Sequence, residues 1–254
     1  MLPANAMPPA PPPPLSVIVA CRNPGPRLAN ALASVWNQRE VAPELIVVDG
    51  ASTDGTVEWL ERHRDRIAVL TSAPDDGVYD AMNRGLAAAR GEWVLFLGAD
   101  DELDSDITLA EALAQLRATN SGVLVGEARY ADGRVYGLPP DPRPVRRNFV
   151  HHQAALYRRS LFEEQGHFDS SLRVMADYEF NLRLWRSHVR FKATSLRLAR
   201  CGTGGISDRG DWHGYREEIR VRHRHFPAYQ CWFWDAVSVL RYLRKKIVRS
   251  RASA

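Results

Sequence analysis

Apolar residues fall in short unbroken runs through the N-terminal part of this chain. Residues 15–20 (LSVIVA), 44–49 (ELIVVD), 67–70 (IAVL) and 93–97 (WVLFL) are rich in Val, Ile and Leu without polar alternation. That is the pattern of strands covered on both faces of a parallel sheet. Between the runs, apolar positions recur at helical spacing. Residues 27–36 put Leu28, Ala31, Leu32 and Val35 on one face, 56–63 follow the second run and 81–89 precede the fourth. Strand–helix alternation of this kind predicts an α/β fold with a doubly wound sheet. Beyond residue 101 the pattern loosens. It predicts helices over 107–116, 160–165 and 176–186, a strand over 122–126 and a Pro/Gly-rich loop over 135–144. Residues 201–210 (CGTGGISDRG) hold four glycines and are expected to be mobile. No internal repeat is visible.

Composition adds limits. The chain has 254 residues, 45% hydrophobic and 25% charged, ordinary for a globular protein with a sizeable core in one large domain or two small ones. Cys21, Cys201 and Cys231 are too far apart for a metal-ligand pair or a disulfide framework, which suits a reducing cytoplasm. Residues 1–14 are proline-rich and lack the basic start and apolar core of a signal peptide, so they read as a disordered arm.

The net charge of +4 is uneven: residues 211–254 sum to +6 and the remainder to −2. Within this basic tail, 233–249 places Phe233, Ala236, Leu240, Leu243 and Ile247 on one helical stripe. Arg241, Lys245 and Arg249 lie opposite, with Trp232 and Trp234 at the start. Such a helix suits a membrane interface, or else packs on the main domain with a solvated basic face. Its regular charges exclude a transmembrane span. A basic tail with aromatic residues also raises a nucleic-acid-binding module. The acidic body and the lack of a nucleic-acid motif argue against that partner.

Candidate chemistry begins at WVLFLGADD, where an apolar run ends in Asp100 and Asp101. Two carboxylates at the tip of a buried strand repel each other and lose hydration. A hard divalent cation, Mg²⁺ or Mn²⁺, compensates them and can grip a phosphate; capping of the next helix is the alternative. In open parallel sheets ligands sit outside the carboxyl ends of the strands. Asn23 follows the first run, Asp49 ends the second and Asp75 follows the third. The phosphate-binding patterns GxGxxG after the first strand and GxxxxGK[ST] are missing, so a metal would carry the phosphate contact.

The segments SVIVACRN, ELIVVDGASTDGT, APDDGVYDAMNRGLAAARGEWVLFLGADDEL and GHFDSSLRVMADYEFNLRLW, in this order and spacing, resemble glycosyltransferase family 2. With HHQAALYRRSLF they are most similar to members that build bacterial exopolysaccharide or lipid-linked saccharides. The resemblance implies a GT-A fold, with a Rossmann-like nucleotide-binding half on a mostly parallel sheet, followed here by a basic amphipathic helix. The implied organisation is an arm over 1–14 and a catalytic domain over 15–210. The domain divides into a nucleotide-sugar half (15–101) and an acceptor half (102–210), and a basic helical tail covers 211–254. It implies inverting transfer of a sugar from a nucleotide-sugar donor to a saccharide or lipid-linked saccharide. The cofactor would be Mn²⁺ or Mg²⁺, and the setting the cytoplasm or the inner face of the plasma membrane. Donor contacts would come from Ala20, Asn23, Asp49, Asp75, Asn83 and Asp100. Asp49 would accept a hydrogen bond from the base ring N–H, and Asn83 with Gly85 resembles the family's Asn-x-Gly. Asp100 and Asp101 match its metal motif, with Gly98 where an Asp is usual. Asp177, after Ala176 in place of the usual Glu, matches the catalytic base; capping of the helix that follows is the other reading. His151, His152, Glu179 and Arg209 are candidate acceptor or phosphate contacts. The departures at Gly98 and Ala176 leave room for a nucleotide-sugar-binding protein without transfer activity.

Overall fold

The computed structural model describes residues 12–202 and 211–252, with side chains to residue 248. Residues 1–11 of the proline-rich arm, most of the glycine-rich segment and Arg209 lie outside the described residues. In chain order the elements begin β1 (Leu15–Cys21), α1 (Arg27–Trp36), β2 (Glu44–Asp49), α2 (Thr56–Glu61), β3 (Val69–Ser72), α3 (Val78–Ala88) and β4 (Trp93–Gly98). They continue with β5 (Glu102–Leu103), α4 (Thr108–Arg117), β6 (Val123–Tyr130), β7 (Val135–Tyr136), β8 (Ala155–Arg158) and α5 (Ser160–Gln165). The chain closes with α6 (Ala176–Arg186), β9 (Phe191–Cys201), α7 (Trp212–His225) and α8 (Ala228–Ala252).

One mixed sheet runs in the order β3-β2-β1-β4-β8-β6-β9-β5, with β7 paired to β6. The first four strands are parallel. β8 is antiparallel to β4 and β6, and β9 runs parallel to β6 with a bulge near Val125–Ala128. Alternate residues of the parallel strands point to two cores. Val17, Val47 and Leu95 meet α1, α2 and α4 through Leu28, Leu32, Leu60 and Leu113. Ile18, Ile46 and Phe96 meet α3, α5 and α6 through Met82, Leu86, Phe162 and Phe180. This two-sided burial is why the strands read as unbroken apolar runs. Gly85 lets α3 press on the sheet: a Cβ there would come within 2.5 Å of the Ile18 side chain.

Expectation and structure differ in places. β3 lies two residues later than the apolar run, and the loop expected over 135–144 contains β7. β8 and β9 were not anticipated. β9 (FKATSLRLARC) buries only Leu198, Ala199 and Cys201, so it carries no apolar run.

The two C-terminal helices are fastened to the body. Arg222 on α7 is fully buried and donates to Glu218, Asp235, Ser238 and the carbonyls of Val145 and Arg146. Glu217 accepts from the backbone amides of Arg173 and Val174 (both 2.8 Å) and Met175 (3.1 Å), the approach to α6. On α8, Cys231 and Ser238 face inward, whereas Phe233, Leu240, Leu243, Ile247 and Val248 are exposed. No helix among the described residues is long and apolar enough to cross a membrane. Cys21, Cys201 and Cys231 are buried free thiols, all pushed up first by burial and then by nearby carboxylates.

Candidate active site

Sheet register aligns the carboxyl ends of the four parallel strands. Cys21 pairs with Asp49, Asp49 with Ser72, and Ala20 with both Val48 and Gly98. At that edge the chain leaves β1 for β2 on one side of the sheet order and leaves β4 for β5 on the other, opening the crevice such sheets use for ligands. Asp49 is fully buried. It accepts from the Ser52 amide (2.9 Å), the Ser52 hydroxyl, the Ser72 hydroxyl (2.7 Å) and the Cys21 thiol. Asn23, at φ 48°, ties the turn after β1 to the turn after β2. Its Oδ1 accepts from the Thr53 amide and its own amide donates to Ser52 Oγ, both at 2.8 Å. Asp54 accepts from the Thr56 amide and hydroxyl and from the Gly25 amide, tying the start of α2 to the turn after β1. Asp75, half-buried, lies against Gly50, where any Cβ would collide with its Oδ2.

Asp100 and Asp101 follow β4. Asp101 is buried and accepts from the Gly202 amide at 3.0 Å, while Asp100 is half-buried with Arg27 Nη1 at 3.4 Å. Burial, then the charge of Asp100, pushes the Asp101 carboxyl up to about 6. The Asp101 carboxylate folds back over Gly98, into the space a side chain at 98 would need. A buried acid strained by an adjacent acid fits a hard divalent cation that takes one or two carboxylates and completes its shell with phosphate and water. Among the described residues no cluster of three or more His, Cys, Asp or Glu forms a protein-only cage.

Asp177 lies in the first turn of α6, which begins one residue earlier; Met175 holds the cap position. Its Oδ1 accepts from Tyr79 Oη (3.1 Å) and the Tyr178 amide (2.8 Å). Its Oδ2 accepts from Asn148 Nδ2 (3.0 Å) and lies 3.1 Å from His152 Nδ1. Burial raises this carboxyl's pKa. The hydrogen bond and charge of His152, the charge of His151 and the Tyr178 amide outweigh that, and the group sits below the ordinary carboxylate value. The charge of His152 also lowers Asp101. One imidazole thus sits against the acid of α6 and its charge also reaches Asp101 after β4, residues far apart in sequence.

The other candidates are placed as follows. His151 stacks on Tyr136 with ring centroids 4.3 Å apart, and burial holds its pKa down to about 4, so it is neutral near pH 7. Glu179 accepts from Arg183 (2.9 Å) and lies 3.1 Å from His225 Nε2, which clasps α6 to α7. The Asn83 amide pairs in both directions with the Phe168 backbone, donating at 2.9 Å and accepting at 3.1 Å. Arg209 lies outside the described residues. Sequence reasoning missed Tyr79, Asn148 and Glu217, which surround or support Asp177. Tyr79 stood inside the GVYDAMNRG segment and Asn148 three residues before His151, but neither shows periodicity or charge that would single it out.

Comparison with known proteins agrees with this architecture. The family model described as Glycosyl transferase family 2 matches residues 16–176. A PGL/p-HBAD biosynthesis glycosyltransferase of Mycobacterium bovis is 36% identical over 180 residues, covering 67% of this chain and 69% of that protein. An uncharacterized glycosyltransferase of Mycobacterium tuberculosis is 30% identical over 254 residues, covering 89% and 96%. Among solved structures, S. aureus TarS 1–349 in complex with UDP-GlcNAc superposes with a TM-score of 0.68 at 21% identity. That match covers 83% of this chain and 66% of that one, and a longer TarS chain is covered over only 38% of its length. A mannosyltransferase from Pyrobaculum calidifontis in complex with GDP-Man and Mn²⁺ gives 0.63 at 20% identity, covering 96% and 81%. At these identities the structural likeness establishes the GT-A type of fold.

Proposed function

This chain belongs to glycosyl transferase family 2 and is a glycosyltransferase, and from that premise we propose a metal-dependent, inverting enzyme acting on a nucleotide-sugar donor. Its acceptor in this reading is a saccharide or lipid-linked saccharide of bacterial cell-surface polysaccharide assembly. The domain reading assigns 15–101 to the donor, 102–210 to the acceptor and 211–254 to a basic helical tail. The observation that carries the proposal is the position of His152, 3.1 Å from Asp177 and close enough to lower Asp101. A donor phosphate beside Asp101 and an acceptor hydroxyl beside Asp177 would then share one hollow.

The donor nucleotide lies along the strand ends in this proposal. Asp49, an acceptor only, would take a base ring N–H once the Ser52 or Ser72 hydroxyl that now covers it turns away, which selects a base with a donor there, such as uracil. Asp75 and the Ala20–Asn23 turn line the same edge, with Asn83 supporting the floor through Phe168. Asp100 and Asp101 would hold Mg²⁺ or Mn²⁺. A cation bound there supplies Lewis-acid neutralisation of the negative charge that grows on the departing nucleoside diphosphate. The acceptor oxygen bonds to the anomeric carbon as the bond to the diphosphate oxygen breaks on the opposite face, so the configuration inverts. The hydroxyl proton passes to Asp177. A carboxylate kept ionised by burial-resistant hydrogen bonds is available at neutral pH, and positioned base catalysis contributes about 10²–10⁴-fold.

α8 is read as a surface anchor. Its outward stripe (Phe233, Leu240, Leu243 and Ile247) with cations on the same helix fits an interfacial helix better than a helix whose apolar face packs on the domain. In this reading the enzyme works at the inner face of the plasma membrane.

A thermal-shift screen of UDP-, GDP- and dTDP-sugars with Mn²⁺ or Mg²⁺ tests the donor reading, because a ligand of the folded state raises its melting temperature. One donor should stand out and lose its effect in chelator. A flat response to every donor with either metal would contradict the proposal.

A further inference from the structure

A cavity of about 710 Å³ opens beside Asp177, and none of the proposed donor residues lines it. Asn148, His151, Val174 and Met175 form the part of its wall next to the Asp177 network. Six cations line the remainder: Arg134, Arg143, Arg146, Arg147, Arg241 and Lys245. Three carboxylates line the cavity with them and a fourth, Asp132, pairs with Arg134 at 2.7 Å; two of the lining three are already engaged. Asp211 caps α7 by accepting from the Gly214 amide, and Glu218 holds Arg222, Ser238 and Arg241. Asp141, paired with Arg143 at 3.2 Å, is exposed, as is Asp211. Arg147 is exposed, and no carboxylate among the described residues lies within ion-pair distance of it. Such an excess of guanidinium groups in a concave site costs stability through mutual repulsion unless an anion enters. Guanidinium forks match phosphate oxygens in geometry and charge. Tyr130, Tyr136 and Tyr215 share the lining, amphipathic rings of the kind that pack on a sugar, each already carrying Arg134, His151 or Arg241 against it.

We propose that this cavity binds a phosphate- or pyrophosphate-bearing acceptor, its arginines holding the anion and its tyrosines the adjoining sugar. The inference deepens the glycosyltransferase reading and depends on it only for the word acceptor; the anion site exists or not regardless of turnover. Arg241 and Lys245 belong to α8, the helix that exposes Leu240, Leu243 and Ile247. A lipid attached to the bound phosphate would therefore leave the cavity beside an apolar helix face. A soluble sugar phosphate shares the same anion chemistry without that continuation.

The test is calorimetric titration of the full chain in chelator, which removes any metal-bridged binding at Asp100 and Asp101. The probes are farnesyl pyrophosphate, inorganic pyrophosphate and farnesol. Farnesyl pyrophosphate should bind, weaken with added salt, and weaken by at least about tenfold in the R143Q/R147Q double variant. Both substituted side chains are exposed, and an unchanged melting temperature would confirm an intact fold. Affinity should persist in D101N. Much tighter binding of farnesyl pyrophosphate than of inorganic pyrophosphate supports a lipid-linked acceptor; equal binding supports a soluble phosphorylated one. No pyrophosphate binding, equal binding of farnesol, indifference to R143Q/R147Q, or loss in D101N would each overturn the proposal. Failure of the transferase reading looks different: no product from any donor while pyrophosphate still binds.

Discussion

His152 Nδ1 lies 3.1 Å from Asp177 Oδ2, and the two come from a turn before β8 and the first turn of α6. The pair couples the electrostatics of the proposed acceptor side to that of the metal side, since the same imidazole lowers Asp101. Its effect on Asp177 has a definite sign.

Removing that imidazole should move a pH profile. His152 holds the Asp177 carboxyl below its ordinary value, against the upward push of burial. In His152→Gln the carboxyl rises, so it takes up its proton at higher pH. The acid limb of kcat against pH should shift upward relative to wild type. A profile that merely scales down, with its acid limb in place, would remove the electrostatic coupling.

Asp101 should trade stability for function. Its folded carboxyl is raised from 3.8 to about 6, so folding takes up a proton between those values. Stability therefore falls as pH rises through that window and stays reduced above it. Asp101→Asn, which can still accept from the Gly202 amide, should stabilise the metal-free protein at pH 7 by on the order of 2–3 kcal/mol. The same variant should lose the thermal shift produced by Mn²⁺ with donor. A lower melting temperature for the metal-free variant would contradict this balance.

Arg222 anchors the C-terminal helices. It is fully buried, with Glu218 at 2.8 Å and Asp235 beyond, and it holds the carbonyls of Val145 and Arg146 just ahead of Asn148. Arg222→Ala takes the buried cation from between Glu218 and Asp235, leaving them only Arg241 and His223 as charged partners, a loss of about 3–5 kcal/mol. Chemical denaturation should register it. A change below about 1 kcal/mol, the scale of a surface pair, would mean that α7 and α8 are held by apolar contact alone.

The exposed stripe of α8 predicts a surface. Leu240→Glu with Leu243→Glu changes two outward residues. Co-sedimentation with vesicles rich in anionic lipid should be strong for wild type and lost in this variant, with catalysis on soluble acceptors intact. Equal sedimentation of both would contradict the anchor.

The parallel half of the fold was legible because strands buried on both faces appear as apolar runs, and the acids that matter end or follow those runs. The other half was less so. β8 is four residues long, and β9 buries only Leu198, Ala199 and Cys201 near its end, with Lys192, Arg197 and Arg200 exposed. α7 buries Glu217, Glu218 and Arg222 where a periodicity argument looks for Leu. Asp100, Asp101 and Asp177 stood out by position and family likeness. The support of Asp177 could not: Tyr79 and Asn148 reach it across 98 and 29 residues of chain, and only folded coordinates bring them together. Gly98, read as a gap in the motif, is occupied from the side by the Asp101 carboxylate.

The most direct measurement is steady-state transfer by Asp177→Asn alongside donor binding by the same protein. The amide preserves the size of the side chain but cannot take a proton. Turnover should fall by about 10²–10⁴-fold, with the donor-induced thermal shift unchanged. Turnover near wild type would remove Asp177 from the chemistry. Loss of donor binding with turnover would place it in the wrong half of the site.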